Sequence, residues 1–448
     1  MQTISDALPQ VIKAALERVD PYGMVRECVS VDGGVLYAAA GGEEAEYHLD
    51  RYDRIVVLGA GKATAPMVRA LEEILGDRLT GGVIAVKPGH TARLEKVRQI
   101  EAGHPVPDAG SVEAAQAVVR TADEADEETL VITCISGGGS ALLALPAEGL
   151  SLEELQSTTE ELLKCGAAIE EINCIRKHLS GIKGGRLAER IYPADSLNLI
   201  LSDVVGDDLS SIASGITGPD PTTYADALEI LAGYGIESKV PDRARELLEA
   251  GAAGKLPETP KPGDPVFSRV KNILIGTNAL ALAAAEKRAR ELGYTTVLLT
   301  SRLTGEAREA AKFFSGIAQD TAAVQMLARK PACILAGGET TVTLRGRGKG
   351  GRNQEMALAF LGEIAARPEA FEGVLFASVA TDGNDGPTDA AGAAASLEIL
   401  RRAEKAGLDP GKYLADNDAY HFFEPVDGLI KTGPTNTNVC DIQILLVE

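Results

Sequence analysis

The sequence predicts an α/β protein of two domains with mostly parallel, buried strands. Three features support that reading. Short β-branched runs alternate with longer Ala/Leu/Glu-rich stretches of helical period. The strand runs repeatedly end in a glycine-rich loop that opens into a helix, as βα units do. The stretch 254–264, GKLPETPKPGD, carries three prolines and no apolar period, so it reads as a linker or exposed loop, after which strand–helix alternation begins again.

The elements follow in order. The apolar run at 54–58 is the first strand, and the Ala/Met/Leu-rich stretch at 63–75 is the helix it feeds. VIAV at 83–86 is the next strand, followed by a helix over 111–121. LVITCI at 130–135 and NLIL at 198–201 are strands on either side of a Leu/Glu-rich helix at 152–164. The second half repeats the scheme, with strands at 272–275, 296–299, 333–336, 375–380 and 442–447 and helices at 278–292, 306–328, 354–366 and 397–406. The domains are placed at 1–250 and 265–448, with the last strand left free to return to the first. They are expected to face one another across a ligand-binding cleft.

Composition excludes several classes of function. With 44 Lys or Arg against 65 Asp or Glu the formal charge is −21, and such a surface repels the polyanion that a phosphate-neutralising nucleic-acid binder needs. No apolar run approaches the ~18 residues that span a bilayer, and the first ten residues lack a basic segment followed by an apolar one. A cytoplasmic protein that does not engage membranes is therefore expected. The six cysteines, at 28, 134, 165, 174, 333 and 440, form no CxxC pair and read as reduced, mostly buried thiols. The five histidines show no metal-ligand spacing.

Chemistry is expected in the loops at the carboxyl ends of the strands, where helix amino termini offer unpaired N–H groups to anions. In Gly59-Ala60-Gly61-Lys62 the two glycines let backbone approach an anion, and Lys62 adds a cation that is unfavourable at a helix start unless an anion offsets it. Neither a Walker A loop nor a full dinucleotide fingerprint is present, and a plain tight turn is the competing reading. Ser136-Gly137-Gly138-Gly139-Ser140 suggests a phosphate cradle whose Ser140 caps the next helix. It is not the GxSxG elbow of a serine hydrolase. Asp203, directly after the fourth strand, is placed to hold Mg²⁺, whereas Asp207 and Asp208 are better read as helix caps.

In the second half, four cations fall within eight residues. Arg345, Arg347, Lys349 and Arg352 are interleaved with Gly346, Gly348, Gly350 and Gly351, shortly after Gly337-Gly338-Glu339. The glycines would let backbone N–H and guanidinium groups converge on one polyanion. Arg352, opening the next helix beside Asn353, is the best placed. In TDGNDGPTD at 381–389, Asp382 suits a metal or a substrate hydroxyl; an EF-hand is excluded because Ala393 stands where its bidentate glutamate belongs. TGPTNTN at 432–438, with Thr435 at its centre, either binds an anion or makes a turn. Anion cradles, clustered cations and carboxylates for a divalent ion together suit a small-molecule kinase, whose chemistry depends on positioning and charge neutralisation.

These motifs, in this order, resemble the type II glycerate kinases, ATP-dependent glycerate 2-kinases that carry a MOFRL domain. The resemblance covers nearly the whole chain. In the first half it runs through GAGKA at 59–63, KPGH at 87–90, GHPVPD at 103–108, SGGGSALL at 136–143, RKHLSGIKGGRLA at 176–188, SDVVGDDLSSIASG at 202–215 and PDPTTYADA at 219–227. In the second it takes in GGETTV at 337–342, GKGGRNQE at 348–355, TDGNDGPTDAAGA at 381–393 and TGPTNTNV at 432–439. It implies a first domain that is a Rossmann-like doubly wound parallel sheet, a second, smaller α/β domain, and an active site in the cleft. It also implies transfer of the γ-phosphoryl group of ATP, with Mg²⁺, to the 2-hydroxyl of D-glycerate, giving 2-phosphoglycerate.

The family's important lysine and arginine map onto Lys62 and Arg352. Further phosphate or substrate contacts are expected from Gly59, Gly61, Ser136, Gly137, Gly138, Gly139, Ser140, Glu339, Gly350, Gly351, Asn353 and Thr435, and metal contacts from Asp203 and Asp382. A monomer or homodimer is expected. Two departures from the family pattern touch loop geometry: the usual ASGPT reads Ala213-Ser214-Gly215-Ile216-Thr217, and Asn436 replaces the second glycine of GPTGTN. Asparagine adopts positive φ more readily than most residues. The rival enzyme is an NAD(P)H-dependent hydroxypyruvate reductase, a label sometimes attached to this family, but no complete GxGxxG with an acidic residue about 20 positions on is present. A non-catalytic nucleotide or anion sensor is the other alternative.

Overall fold

The structure, a computed structural model, describes residues 3–448. They divide into two compact units: Pro21–Ile275, and Gly276–Glu448 together with the N-terminal residues through Asp20.

The first unit opens with an antiparallel meander of β1 (Val29–Asp32), β2 (Val35–Ala40) and β3 (Glu43–His48). Sequence reading missed it because EEAEYH in β3 carries no apolar run, and half-exposed strands of this kind give a weak signal. The main sheet comprises β4 (Arg54–Ala60), β5 (Gly81–Val86), β6 (Val97–Glu101), β7 (Thr129–Ile135), β8 (Asp195–Leu201) and β9 (Val270–Gly276). Their order across the sheet is β6-β5-β4-β7-β8-β9, with parallel ladders from β6 through β8. Numbered within the sheet this is 3-2-1-4-5-6, the doubly wound order, and it reverses between β4 and β7. The loops leaving those two strands therefore flank the switch point, where such sheets bind ligands.

Helices fall close to expectation because their start signals are local. Helix Ala109–Asp123 begins with an Asp108/Ser111 capping box, and helix Leu152–Lys164 with a Ser151/Glu154 box. The latter packs with helices Ile169–His178, Tyr224–Tyr234 and Asp242–Ala252 over a separate core that includes Leu162, Ile175, Tyr224 and Leu248. The stretch 254–264 is fastened to this unit and is not a free linker. Thr259 Oγ1 donates to Asp220 Oδ2 at 3.0 Å, and Pro260 O accepts from Asp220 N at 2.9 Å. The chain then adds β9 to the first sheet before the second unit begins, so the division comes later than the proline content suggests.

The second unit holds β10 (Thr295–Leu303), β11 (Ala332–Gly338), β12 (Val374–Ala380), β13 (Gly392–Ser396), β14 (Leu429–Ile430) and β15 (Asp441–Val447), in the order β10-β11-β15-β12-β13-β14. Only β10 and β11 pair in parallel; the remaining ladders are antiparallel. The expectation of mostly parallel strands thus holds for the first sheet and not for the second. The last strand lies inside the second sheet, wedged antiparallel between β11 and β12. That insertion pairs Asp441 with Gly338 and with Ala380, the carboxyl ends of its two neighbours. Helix Ile4–Arg18 packs on helix Asn278–Glu291 of the same unit, so the N-terminal segment does not belong with the first sheet.

None of the six cysteines forms a disulfide, and five are buried. No helix among the described residues is long and apolar enough to cross a membrane.

Candidate active site

In the first unit the loops leaving β4 and β7 are built into one another. Lys62 N donates to Gly137 O and Ser136 N to Ala60 O, both at 3.0 Å. Ser136 Oγ accepts from Ala63 N at 3.0 Å and lies 3.2 Å from Thr64 Oγ1, so it secures the first turn of helix Thr64–Leu75. A Cβ at Gly61 would fall on that hydroxyl, which is why glycine is required there. Ser136 is buried and committed to this bond; it shapes the cradle and does not line it, a correction to the sequence reading.

Gly138 takes φ +86°, the left-handed turn that starts the short helix Gly139–Leu142. Ser140 is not its cap. Its Oγ pairs with Ser214 Oγ at 2.7 Å, and Ser214 in turn donates to Asn173 Oδ1 at 3.2 Å. Beneath this turn Lys183 is buried, with Nζ donating to the carbonyls of Ser140 and Leu143 at 2.5 and 2.9 Å. Burial, with Arg176 nearby, lowers its pKa to about 7. Ala213, Ser214 and Gly215 take φ of 50°, 57° and 63° in succession, two of them without a glycine's freedom. Ile216, the departure from the family pattern that follows them, is buried in the main core.

Four strand ends converge over Gly138. The position a Cβ would take there lies 3.0 Å from His104 Nε2 and 3.5 Å from Lys62 Cε. His90 Nδ1 is 3.1 Å from Lys62 O. Burial first, then the charges of Lys62, Lys87 and His90, push the His104 imidazole down to about 4. On the other side the Asp203 carboxylate sits against the Gly137 backbone. The structure thus brings Lys62, Gly137, Gly138 and Asp203 to one turn. It adds Lys87, His90 and His104, whose signal was the pair of motifs KPGH and GHPVPD placed just after strands. Asp208 accepts from Ser210 N, Ser210 Oγ and Ser211 Oγ and so closes a local turn; the short helix that follows is preceded by Ser211, which corrects the reading of Asp208 as a helix cap.

In the second unit Arg352 is held by two carboxylates. Nε and Nη2 donate to Asp441 Oδ2 and Oδ1 at 2.5 and 2.9 Å, and Nη1 donates to Glu339 Oε1 at 2.6 Å. Burial works against the guanidinium charge, but the bonds and charges of Asp441 and Glu339 outweigh it and raise the Arg352 pKa. Burial pushes the Asp441 carboxyl up to about 6, with Arg352 pulling the other way. Glu339 is therefore a partner of Arg352. Asp441 escaped sequence reading because its partner lies 89 residues away.

Two expectations for this unit are corrected. The amino terminus of helix Arg352–Ala366 is closed by Asp385, whose carboxylate accepts from Asn353 N and Nδ2 at 3.1 Å each and from Gln354 N at 2.8 Å. Asn353 is buried, and its Oδ1 accepts from Ser378 Oγ at 2.5 Å, so it is a strut. Nor does the backbone of the cationic loop await a polyanion. Arg345 N and Gly346 N donate to Asn417 Oδ1 at 2.7 and 3.0 Å, Arg347 N to Asp416 Oδ1 at 3.1 Å, and Lys349 N to Asp418 Oδ1 at 2.8 Å. Gly346 and Gly348 let this loop lie flat along residues 416–418, and Gly350 and Gly351 carry it into the helix. The side chains of Arg345 and Arg347 stay exposed.

Thr435 also makes a turn: its Oγ1 donates to Thr381 O at 2.6 Å, beside Asp382, whose Oδ1 accepts from Asn384 N at 3.0 Å. Asn436 takes φ +59°, so the asparagine adopts the conformation for which the family uses glycine. Among the described residues no three His, Cys, Asp or Glu side chains group as a metal cage. Mg²⁺ needs only one or two protein carboxylates, and Asp203, against the glycine cradle, fits that requirement.

Comparison with known proteins agrees with this picture. Residues 7–249 match a family model described as a domain of unknown function (DUF4147), and residues 332–441 match the MOFRL family. A glycerate 2-kinase of Pyrococcus horikoshii is 41% identical over 98% of this chain and 96% of its own. A protein of Agrobacterium vitis with the provisional name hydroxypyruvate reductase is 42% identical over 88% of this chain and 99% of its own. The crystal structure of a glycerate kinase from Thermotoga maritima matches with a TM-score of 0.87 at 38% identity, covering 99% of each chain. With its doubly wound first sheet, its MOFRL region and relatives of this identity over nearly its full length, the chain belongs to the MOFRL-containing glycerate kinase family.

Proposed function

We propose that the protein is a glycerate 2-kinase that moves the γ-phosphoryl group of ATP to the 2-hydroxyl of D-glycerate, giving 2-phospho-D-glycerate and ADP. The observation that carries the reading is the placement of Lys62 and the triple-glycine turn on the two strands that flank the switch point of a doubly wound sheet. The hydroxyl oxygen forms the new bond to phosphorus, the bond to the bridging oxygen of ADP breaks, and the hydroxyl proton leaves to base or solvent. Little covalent help is needed; charge on the transferring oxygens must be neutralised. Lys62 and Arg352 both serve that purpose. Arg352 spends three of its five N–H donors on Asp441 and Glu339, which leaves two for a substrate oxygen. Mg²⁺, when bound, neutralises phosphate charge, and Asp203 is the residue best placed to hold it, with Asp382 the second candidate.

The reductase reading has one point in its favour, since the same strand order serves dinucleotide-binding enzymes. Against it, Thr64 stands where the third glycine of the fingerprint belongs, and its Oγ1 donates to Cys134 O at 3.3 Å. An assay coupled to ADP formation with D-glycerate, run beside one following NAD(P)H oxidation with hydroxypyruvate, decides between them. Turnover in the second alone would overturn the proposal. Phosphorus NMR of the product distinguishes the 2- from the 3-phosphate.

A further inference from the structure

KPGH and GHPVPD lie in loops to which the reaction above gives no task. The strand order explains where they end up. Lys87 follows β5 and His104 follows β6, and in the sheet β6, β5, β4 and β7 are neighbours. Their carboxyl ends therefore present His104, then Lys87 and His90, then Lys62, then the glycine turn, side by side. His104 Nε2 and Lys62 Cε come within 3.0 and 3.5 Å of one point above Gly138.

Two of the nearby carboxylates are taken up by backbone N–H groups, and a third flanks the glycine turn. Glu101 accepts from Gly89 N at 3.0 Å, Asp108 accepts from Gly103 N at 2.9 Å and from Ser111 N at 3.0 Å, and Asp203 lies on the Gly137 side. In a chain of charge −21, two ammonium groups drawn to one strand-end row beside a neutral imidazole leave a local positive charge that a bound anion would offset.

We infer that Lys62, Lys87 and His104 form one oxyanion-binding subsite over the Gly137–Gly138 turn, in which the His104 imidazole bonds to a charged oxygen of the bound ligand. The inference rests on the kinase reading only for the choice of ligand, a phosphate of the nucleotide or the carboxylate of glycerate. Without an anion, His104 is neutral at neutral pH, because burial and its cationic neighbours disfavour the imidazolium. An anion placed there offsets that repulsion, so binding is accompanied by proton uptake at His104.

The test follows the His104 ring by NMR in the full chain, with the resonance assigned by its loss in His104→Gln. Inorganic phosphate, ADP and D-glycerate are titrated separately. At least one should move the ring signal toward the imidazolium position, and the one that does identifies the source of the oxygen. No movement with any of the three at saturation overturns the inference. For the responding ligand, His104→Gln should weaken binding by about tenfold or more. Wild-type affinity for all three ligands in that variant would also overturn it. Lys87→Gln, which leaves the ring in place, should raise the His104 pKa in the free protein and weaken the same ligand; no change in either removes Lys87 from the subsite. A wild-type protein that shows the His104 response but transfers no phosphate to D-glycerate would sink the kinase reading and leave the subsite standing.

Discussion

Lys62 and Arg352 carry the same charge in different settings. Lys62 is fixed through its backbone N–H, which donates to Gly137 O in the glycine turn, whereas the Arg352 guanidinium itself is bound by Asp441 and Glu339. Lys62→Ala should therefore lower kcat/KM by about 10²-fold or more while leaving the urea midpoint nearly unchanged. Arg352→Ala should lose activity to a similar degree and also about 3–5 kcal/mol of stability, because it strands the buried Asp441 carboxylate. Adding Asp441→Asn to that variant should restore most of the stability and none of the activity, a split that urea unfolding and steady-state kinetics would resolve. His104 gives a pH signature of its own. Its folded pKa of about 4 lies below the ordinary 6.5, so on acidification the unfolded chain takes up this proton first and the folded state loses stability between those values. His104→Gln removes that loss, and its urea midpoint relative to wild type should rise as pH falls through this window.

At the scale of elements, the site depends on how one loop is fastened to the next. Ser136→Ala leaves Ala63 N without its acceptor and should cost about 1–3 kcal/mol. Gly61→Ala should cost at least as much, about 1–3 kcal/mol or more, since it forces a methyl group into a closed contact. Ser136→Ala should not rescue it, because the Ser136 carbonyl oxygen lies 2.7 Å from the same Cβ position. A double-mutant cycle read by thermal unfolding tests both statements. The strands and helices around these loops were legible because their signals are local. Strand β7 is buried along its whole length and reads as TLVITCI, and helix Leu152–Lys164 carries its own cap and apolar stripe. Strand β6 was missed because VRQIE holds only two apolar residues, Val97 and Ile100, spaced three apart, and so shows no strand period.

For the molecule as a whole, the metal requirement is the most direct check on the proposed chemistry. Chelation by EDTA should abolish ADP formation, and added Mg²⁺ should restore it. Asp203→Asn should raise the Mg²⁺ concentration needed for half-maximal rate, and an unchanged requirement would remove Asp203 from that role. The strand order also explains why residues from separate motifs act together. Loops that are 41 residues apart in sequence, at Lys62 and Gly103, come within reach of one another because β6, β5 and β4 are adjacent in the sheet.

The α/β class, most of the strands and helices of the two main sheets, and the candidate role of Lys62 could be read from the chain itself, because periodicity, glycine-terminated strands and a cation at a helix start act over a few residues. Which backbone donors remain available was decided only on folding. Asp385 occupies the start of the Arg352 helix from 32 residues away, and Asn417 and Asp418 hold the cationic loop from about 70. No local pattern encodes such pairings. The direction of β15 is of the same kind: a strand buried on both faces reads identically either way, yet its antiparallel insertion is what sets Asp441 beside Arg352.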